Sequence, residues 1–118
     1  MYHTEFQKVL PVILTGMKVG GVALEGKGES RVMMTGENLQ LVALSLGVGY
    51  YHPLHNHPEH ESIGYVISGK LNMMIGGEEY VLNPGSVWHH PKGVYHWTRA
   101  LENCEAVEIH SPPRPEFL

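Results

Sequence analysis

Three turn signals fall within the eighteen residues from Gly76 to Gly93, and they leave no room for a helix between them. Gly76-Gly77 separates Leu71-Asn-Met-Met-Ile75 from Glu79-Tyr-Val-Leu82, and Asn83-Pro84-Gly85 and Pro91-Lys92-Gly93 follow. A Gly-Gly pair between two short apolar runs signals a tight hairpin, because the favoured two-residue turn asks for positive φ at both central positions. Elsewhere the apolar period is also two: residues 39–46, 63–67 and 70–75 read as strands. Residues 9–24 suit a strand pair turning through Gly20-Gly21, and Gly26-Lys27-Gly28 suits a loop. Short strands with regular turns predict an all-β sandwich or barrel. Residues 111–118, Ser-Pro-Pro-Arg-Pro-Glu-Phe-Leu, hold too much proline for a helix or central strand and should lie extended over the body.

Composition bounds the class. A chain of 118 residues with 42% hydrophobic content suits one domain with one core, and the 14 glycines and 8 prolines, spread throughout, suit many turns. No run of eighteen apolar residues predicts a membrane span, and the N-terminus lacks the basic-then-apolar order of a signal peptide. Cys104 is the one cysteine, which excludes an intramolecular disulfide and fits a reducing cytoplasm. A net charge of −4 with eight Lys and Arg gives no phosphate-binding footprint, so no nucleic-acid partner is expected.

The candidate chemistry lies in histidines. His55 and His57 are separated by one residue, so on an extended strand both imidazoles leave the same face and can reach one ion. A third imidazole arrives thirty-nine residues later as His96, just after the Pro91-Lys92-Gly93 turn. Imidazoles with a carboxylate or water suit a divalent ion, Zn, Ni, Fe, Mn or Co, and an incomplete ligand shell leaves positions for a small-molecule substrate. Such an ion polarises a hydroxyl or carbonyl, or acidifies bound water. His3, His52, His60, His89 and His110 read as ordinary surface or hydrogen-bonded histidines, and His90 and Trp88 as packing residues or pocket rim. Tyr65, Tyr95 and Trp97 read as core.

These motifs resemble the cupin family. Gly49, five residues, His55-Asn-His57, an acidic position and Gly69 resemble its first motif, and Gly85, five residues, Pro91-x-Gly93, two residues, His96 its second. The resemblance covers roughly residues 38–114 and implies a double-stranded β-helix, a jelly-roll barrel of two antiparallel sheets: a cupin core at about 38–110, N-terminal strands in 1–37 and an extended tail at 111–118. Ser86 and Ala100 stand where the family has aspartate and asparagine that bind no metal. Counting back from Gly69, the family's Glu or Gln ligand falls on Ser62, with Glu61 one residue early. Strand parity groups Glu61 with Ile63, Tyr65 and Ile67, and Ser62 with Gly64, Val66 and Ser68; both faces of such a strand can be covered, so both positions stay open. The expected metal set is His55, His57 and His96, with Glu61 as a fourth ligand and Ser62 near a bound water.

The ending Glu108-Ile-His110-Ser-Pro-Pro-Arg114 is similar to that of small cupins that convert unsaturated monouronates from pectin and alginate to linear ketonised forms. In that group an acid, an aromatic and an arginine match Glu108, His110 and Arg114, beside a His, His, Gln, His metal set. Here Glu stands for Asp, His110 for the aromatic and Ser62 for the Gln. The resemblance implies Glu108, His110 and Arg114 as catalytic residues, with Arg114 clamping the uronate carboxylate through its planar fork. A metal-dependent isomerase or lyase of a sugar acid is the leading expectation. A cupin dioxygenase and a non-catalytic small-ligand sensor are the alternatives. A homodimer is expected, because a small sheet protein exposes strand edges and an apolar face.

Overall fold

The computed structural model describes residues 2–115; Glu116, Phe117 and Leu118 of the expected extended tail lie outside the described residues. Twelve strands and one short 3-10 helix, Phe6–Lys8, make up the described chain. In order they are β1 (Val12–Ile13), β2 (Lys18–Val19), β3 (Val22–Ala23), β4 (Gly28–Thr35), β5 (Gln40–Leu46) and β6 (Tyr51–His55). Then follow β7 (Glu61–Ser68), β8 (Leu71–Ile75), β9 (Glu78–Leu82), β10 (Val87–His90), β11 (His96–Ala100) and β12 (Cys104–Ser111). A six-stranded sheet in the order β1-β4-β5-β12-β7-β10 faces a four-stranded sheet in the order β6-β11-β8-β9. Every pairing is antiparallel. The fold is the double-stranded β-helix that the motifs implied.

The strands form where period and turns placed them. β8 and β9 close through Gly76 and Gly77, both at positive φ (59° and 91°), as a two-residue turn of the right twist demands. β2 and β3 pair through Gly20-Gly21. Gly28, expected in a loop, instead opens β4, pairing with Leu46. β7 alternates strictly: Ser62, Gly64 and Val66 point inward and are buried, while Glu61, Ile63, Tyr65 and Ile67 point outward and are exposed. Between the sheets Leu46, Val66, Trp88, Cys104 and Ala106 meet Leu71, Met73, Leu82 and Ala100 in one cluster. Fully burying each larger apolar side chain contributes about 1.5–3 kcal/mol. Tyr65 and Tyr95 are not part of that core: both are about half exposed, because parity turns Tyr65 outward and Tyr95 precedes β11 at the surface.

The register of the large sheet builds two rows that cross the barrel interior. His90 on β10 stands opposite Ser62 on β7, which stands opposite His110 on β12, which stands opposite Gln40 on β5. One row along, Trp88 faces Gly64, which faces Glu108. In each row the middle residue is small, so the side chains on either side reach towards each other over it.

Candidate metal centre and its cavity

His55 ends β6 and His96 begins β11, and the two are register partners. His57 follows two residues after His55, in the loop that leads to β7. The three rings lie with centroids 4.1–5.4 Å apart, and a potential ligand atom from each lies within 4.8 Å of the others. Two backbone contacts orient this set. His55 Nδ1 is 2.7 Å from the Pro53 carbonyl, and His96 Nδ1 is 3.1 Å from the Val94 carbonyl. A carbonyl only accepts, so each Nδ1 carries the proton and each Nε2 keeps its lone pair for an ion. Burial drives the imidazoles towards the neutral form that binds metal: His55 is lowered to about 4 by burial and the neighbouring His96, and His57 to about 2 by burial and then His55. His96 is also lowered, chiefly by burial. Neutral, oriented and convergent, these three residues fit a divalent ion.

Each of the three has a second histidine against its ring. His52 stacks on His55 at 4.0 Å, His60 on His57 at 4.5 Å and His90 on His96 at 3.6 Å. Of the surface and hydrogen-bonded readings, His52 and His110 take the hydrogen-bonded one: His52 lies partly buried with its Nδ1 3.2 Å from the Tyr50 hydroxyl, and His110 is buried against Glu108; His60 is buried as well. His90 is likewise buried, 3.4 Å from Ser62 Oγ and 3.2 Å from Met73 Sδ. Desolvation depresses both His52 and His90 to about 3. Nothing in the spacing marks the contacts of His90 with Ser62 and Met73, because those partners belong to other strands, whereas His52 and His60 each meet a ring three residues away in their own segment. The cross-strand rows recruit His90 and His110, and the tight β6–β7 connection folds His60 back onto His57.

Glu61 is not brought to this cluster. It sits on the outward face of β7, its side chain half exposed, and its Oε1 is 2.9 Å from His89 Nε2. The inward position belongs to Ser62, which is buried and within reach of His90. The parity that both faces left open is decided by which side of β7 packs against the small sheet.

The charged member of the interior is Glu108. Its Oε1 accepts from His110 Nε2 at 2.6 Å and its Oε2 from Trp88 Nε1 at 3.1 Å, with His90 Nδ1 3.8 Å away. Burial alone raises a carboxyl, but the hydrogen bond and charge of His110, the nearby His90 and the Trp88 donor outweigh it and hold Glu108 at about 2. Arg114, partly buried, closes the site from the tail; its backbone N–H donates to Oε1 of Gln40 at 3.4 Å, and Gln40 Nε2 donates to Thr35 Oγ1. His55, His57, His96, Glu108, His110 and Arg114 all line one cavity of about 120 Å³, whose remaining wall is largely apolar, including Leu44, Leu71 and Met73. That is the scale of the ~150 Å³ cavities that hold a six-membered ring. No helix among the described residues is long and apolar enough to cross a membrane.

The cupin domain family matches residues 44–110, which holds both histidine motifs and Glu108. The chain is 30% identical to the pectin degradation protein KdgF of Dickeya dadantii (strain 3937) over 95 residues, 79% of this chain and 86% of that protein. It is 37% identical to the quercetin 2,3-dioxygenase of Bacillus subtilis (strain 168) over 84 residues, which are 70% of this chain but 23% of that longer enzyme. The solved structure of KdgF from Halomonas sp. superposes with a TM-score of 0.74 at 27% identity, covering 77% of this chain and 84% of that one.

Proposed function

The chain belongs to the cupin family, and from that premise we propose that it is a divalent-metal-dependent enzyme acting on a small sugar acid, converting an unsaturated monouronate to its linear ketonised form. The observation that carries this reading is one cavity holding three neutral, convergent imidazoles, an ionised buried carboxylate and a guanidinium. The likeness to two KdgF proteins, one described by its role in pectin degradation, supports it.

The chemistry sets the roles. Opening such a hemiacetal ring removes a proton from the anomeric hydroxyl and breaks the bond to the ring oxygen, and the enol released is protonated on carbon to give the keto acid. A bound divalent ion supplies Lewis acidity at the sugar oxygens. His55, His57 and His96 would hold it. Glu108, kept ionised by His110 and Trp88, takes the hydroxyl proton, and the low-dielectric wall keeps competing water out. Arg114 grips the carboxylate in a two-pronged geometry that a lysine does not reproduce. His110 holds Glu108 in place through their 2.6 Å hydrogen bond.

Metal-loaded protein incubated with an unsaturated monouronate should abolish the absorbance of the conjugated double bond, and prior chelation should stop it. Glu108→Gln should lower kcat by at least ~100-fold, the scale of a lost general base, while Arg114→Lys should act mainly on KM. Full turnover in both variants would overturn this assignment. A second reading, oxidation of a small phenolic molecule by dioxygen, is favoured by the 37% identity to the quercetin dioxygenase. Oxygen uptake with a flavonol, absent with a uronate, would select it.

A further inference from the structure

Two buried polar atoms of residues that line the cavity have no hydrogen-bond partner among the described residues: the hydroxyl of Ser30 and Nε2 of His52. They come from facing sheets. Ser30 holds an inward position on β4 and is only 4% exposed, and His52 belongs to β6, two residues after the Tyr50 whose hydroxyl lies 3.2 Å from its Nδ1. Buried polar side chains in folded proteins are nearly always paired, because an unpaired one gives up its hydration for nothing in exchange. Both residues border the space open to a ligand, so a ligand is the partner that suits them.

Register fixes where Ser30 stands relative to the reacting groups. Val42 on β5 faces Glu108, and Leu44, two residues further along β5, pairs with Ser30 on its other side. Ser30 therefore lies two residues along the strand direction, roughly 7 Å, beyond the row that holds Glu108. Arg114 lies to the opposite side of that row, where its N–H meets Gln40, the register partner of His110. A ring that offers its carboxylate to Arg114 thus extends past Glu108 towards Ser30. In a pyranose uronate the carboxylate is carried on C5, and the ring carbon opposite C5 is C2.

We infer that Ser30 and His52 bind the C2 hydroxyl of the sugar acid and select for it, an orientation that rests on the proposed uronate reading. With the Tyr50 hydroxyl donating to His52 Nδ1, Nε2 of the neutral ring carries the hydrogen and donates to the sugar oxygen. The sugar hydroxyl donates in turn to Ser30 Oγ, so both orphaned atoms gain a partner. Such a site discriminates strongly, because an analogue without the hydroxyl leaves two buried groups unpaired. Neither residue belongs to the histidine pair or the His96 motif, and Ser30 precedes the residues 44–110 that match the cupin domain.

Calorimetric titration of the metal-loaded protein compares galacturonate, which has no enol to release, with 2-deoxygalacturonate. The unaltered chain should bind the 2-deoxy acid at least ~10-fold more weakly. Ser30→Ala and, separately, His52→Phe, which keeps a ring against His55, should each weaken galacturonate by roughly 5–10-fold and leave the 2-deoxy acid unchanged. Ligand-free Ser30→Ala should unfold in urea at the same midpoint as the unaltered chain, because the hydroxyl removed has no protein partner to lose. Turnover of the unsaturated monouronate separates this inference from the reaction. Ser30-dependent binding of galacturonate supports the inference even without turnover, whereas turnover with unchanged KM in Ser30→Ala refutes it and leaves the reaction standing. Failure to bind galacturonate, equal affinity for the two acids, or Ser30-dependent binding of catechol in place of the uronate would each overturn it. So would a Ser30→Ala variant that is less stable and binds both acids alike, the mark of a hydroxyl that holds only a structural water.

Discussion

Gly64 is the position at which the fold and the chemistry meet most tightly. It lies between Trp88 and Glu108 in register, and only the lack of a side chain lets the indole cross to donate to the carboxylate at 3.1 Å. A Cβ built at Gly64 would land on the six-membered ring of Trp88, at Cζ2, Cε2 and Cη2, deep inside van der Waals contact. The indole is 4% exposed and packed in the core, so it has no free space to yield into. Overpacking of this kind costs about 1–3 kcal/mol, and losing a hydrogen bond to a buried charge about 1.5–3 kcal/mol more. Gly64→Ala should therefore destabilise by about 3–5 kcal/mol, a fall in Tm of roughly 10–20 °C for a chain of this size. Urea unfolding of the metal-free protein measures it. Because the cost is assigned to the indole, a Trp88→Leu background should nearly remove it, leaving under about 1 kcal/mol for the same glycine change. An equal penalty in both backgrounds, or wild-type stability of Gly64→Ala, would refute the reasoning.

His96→Ala should lose most of the bound ion in a dialysis and metal-analysis protocol, whereas His60→Ala, which removes a ring stacked on His57 and none of the three candidate ligands, should retain it. Under the same protocol Glu61→Gln should change nothing, because its carboxylate faces His89 outside the barrel, while Ser62→Gln, on the inward face, should raise metal retention. For the metal-free protein, stability should fall as pH drops below about 6.5, where unfolded histidines take up protons that His52, His55, His57 and His90 refuse until about 2–4. The unfolded state binds more protons across that window, so several such groups make the slope steeper than the ~1.4 kcal/mol per pH unit of one. Glu108 adds to the loss only below its ordinary range of about 4.5, as pH approaches 2. A flat denaturation profile between pH 7 and 5 would contradict the buried, neutral state of these rings.

The turns and the period of two were legible because they are local: Gly76-Gly77 dictates its hairpin within four residues, whereas His57 lies past the end of β6, and the loop rather than a shared strand face brings its ring 4.8 Å from His55. His96 was legible through its motif, and the structure places it opposite His55. What stayed hidden depends on which strand lies beside which. Glu61 and Ser62 are adjacent, and only the packing of one side of β7 against the small sheet made Ser62 the interior residue. Tyr65 reads as core for any aromatic in a strand, until the same parity sends it outward. His90 meets Ser62 across 28 residues and Trp88 meets Glu108 across 20, contacts fixed by sheet register and by the small residue between each pair. Local chain chemistry set the elements and the principal candidate ligands; the alignment of β10, β7 and β12 turned scattered histidines and one glutamate into a single cavity.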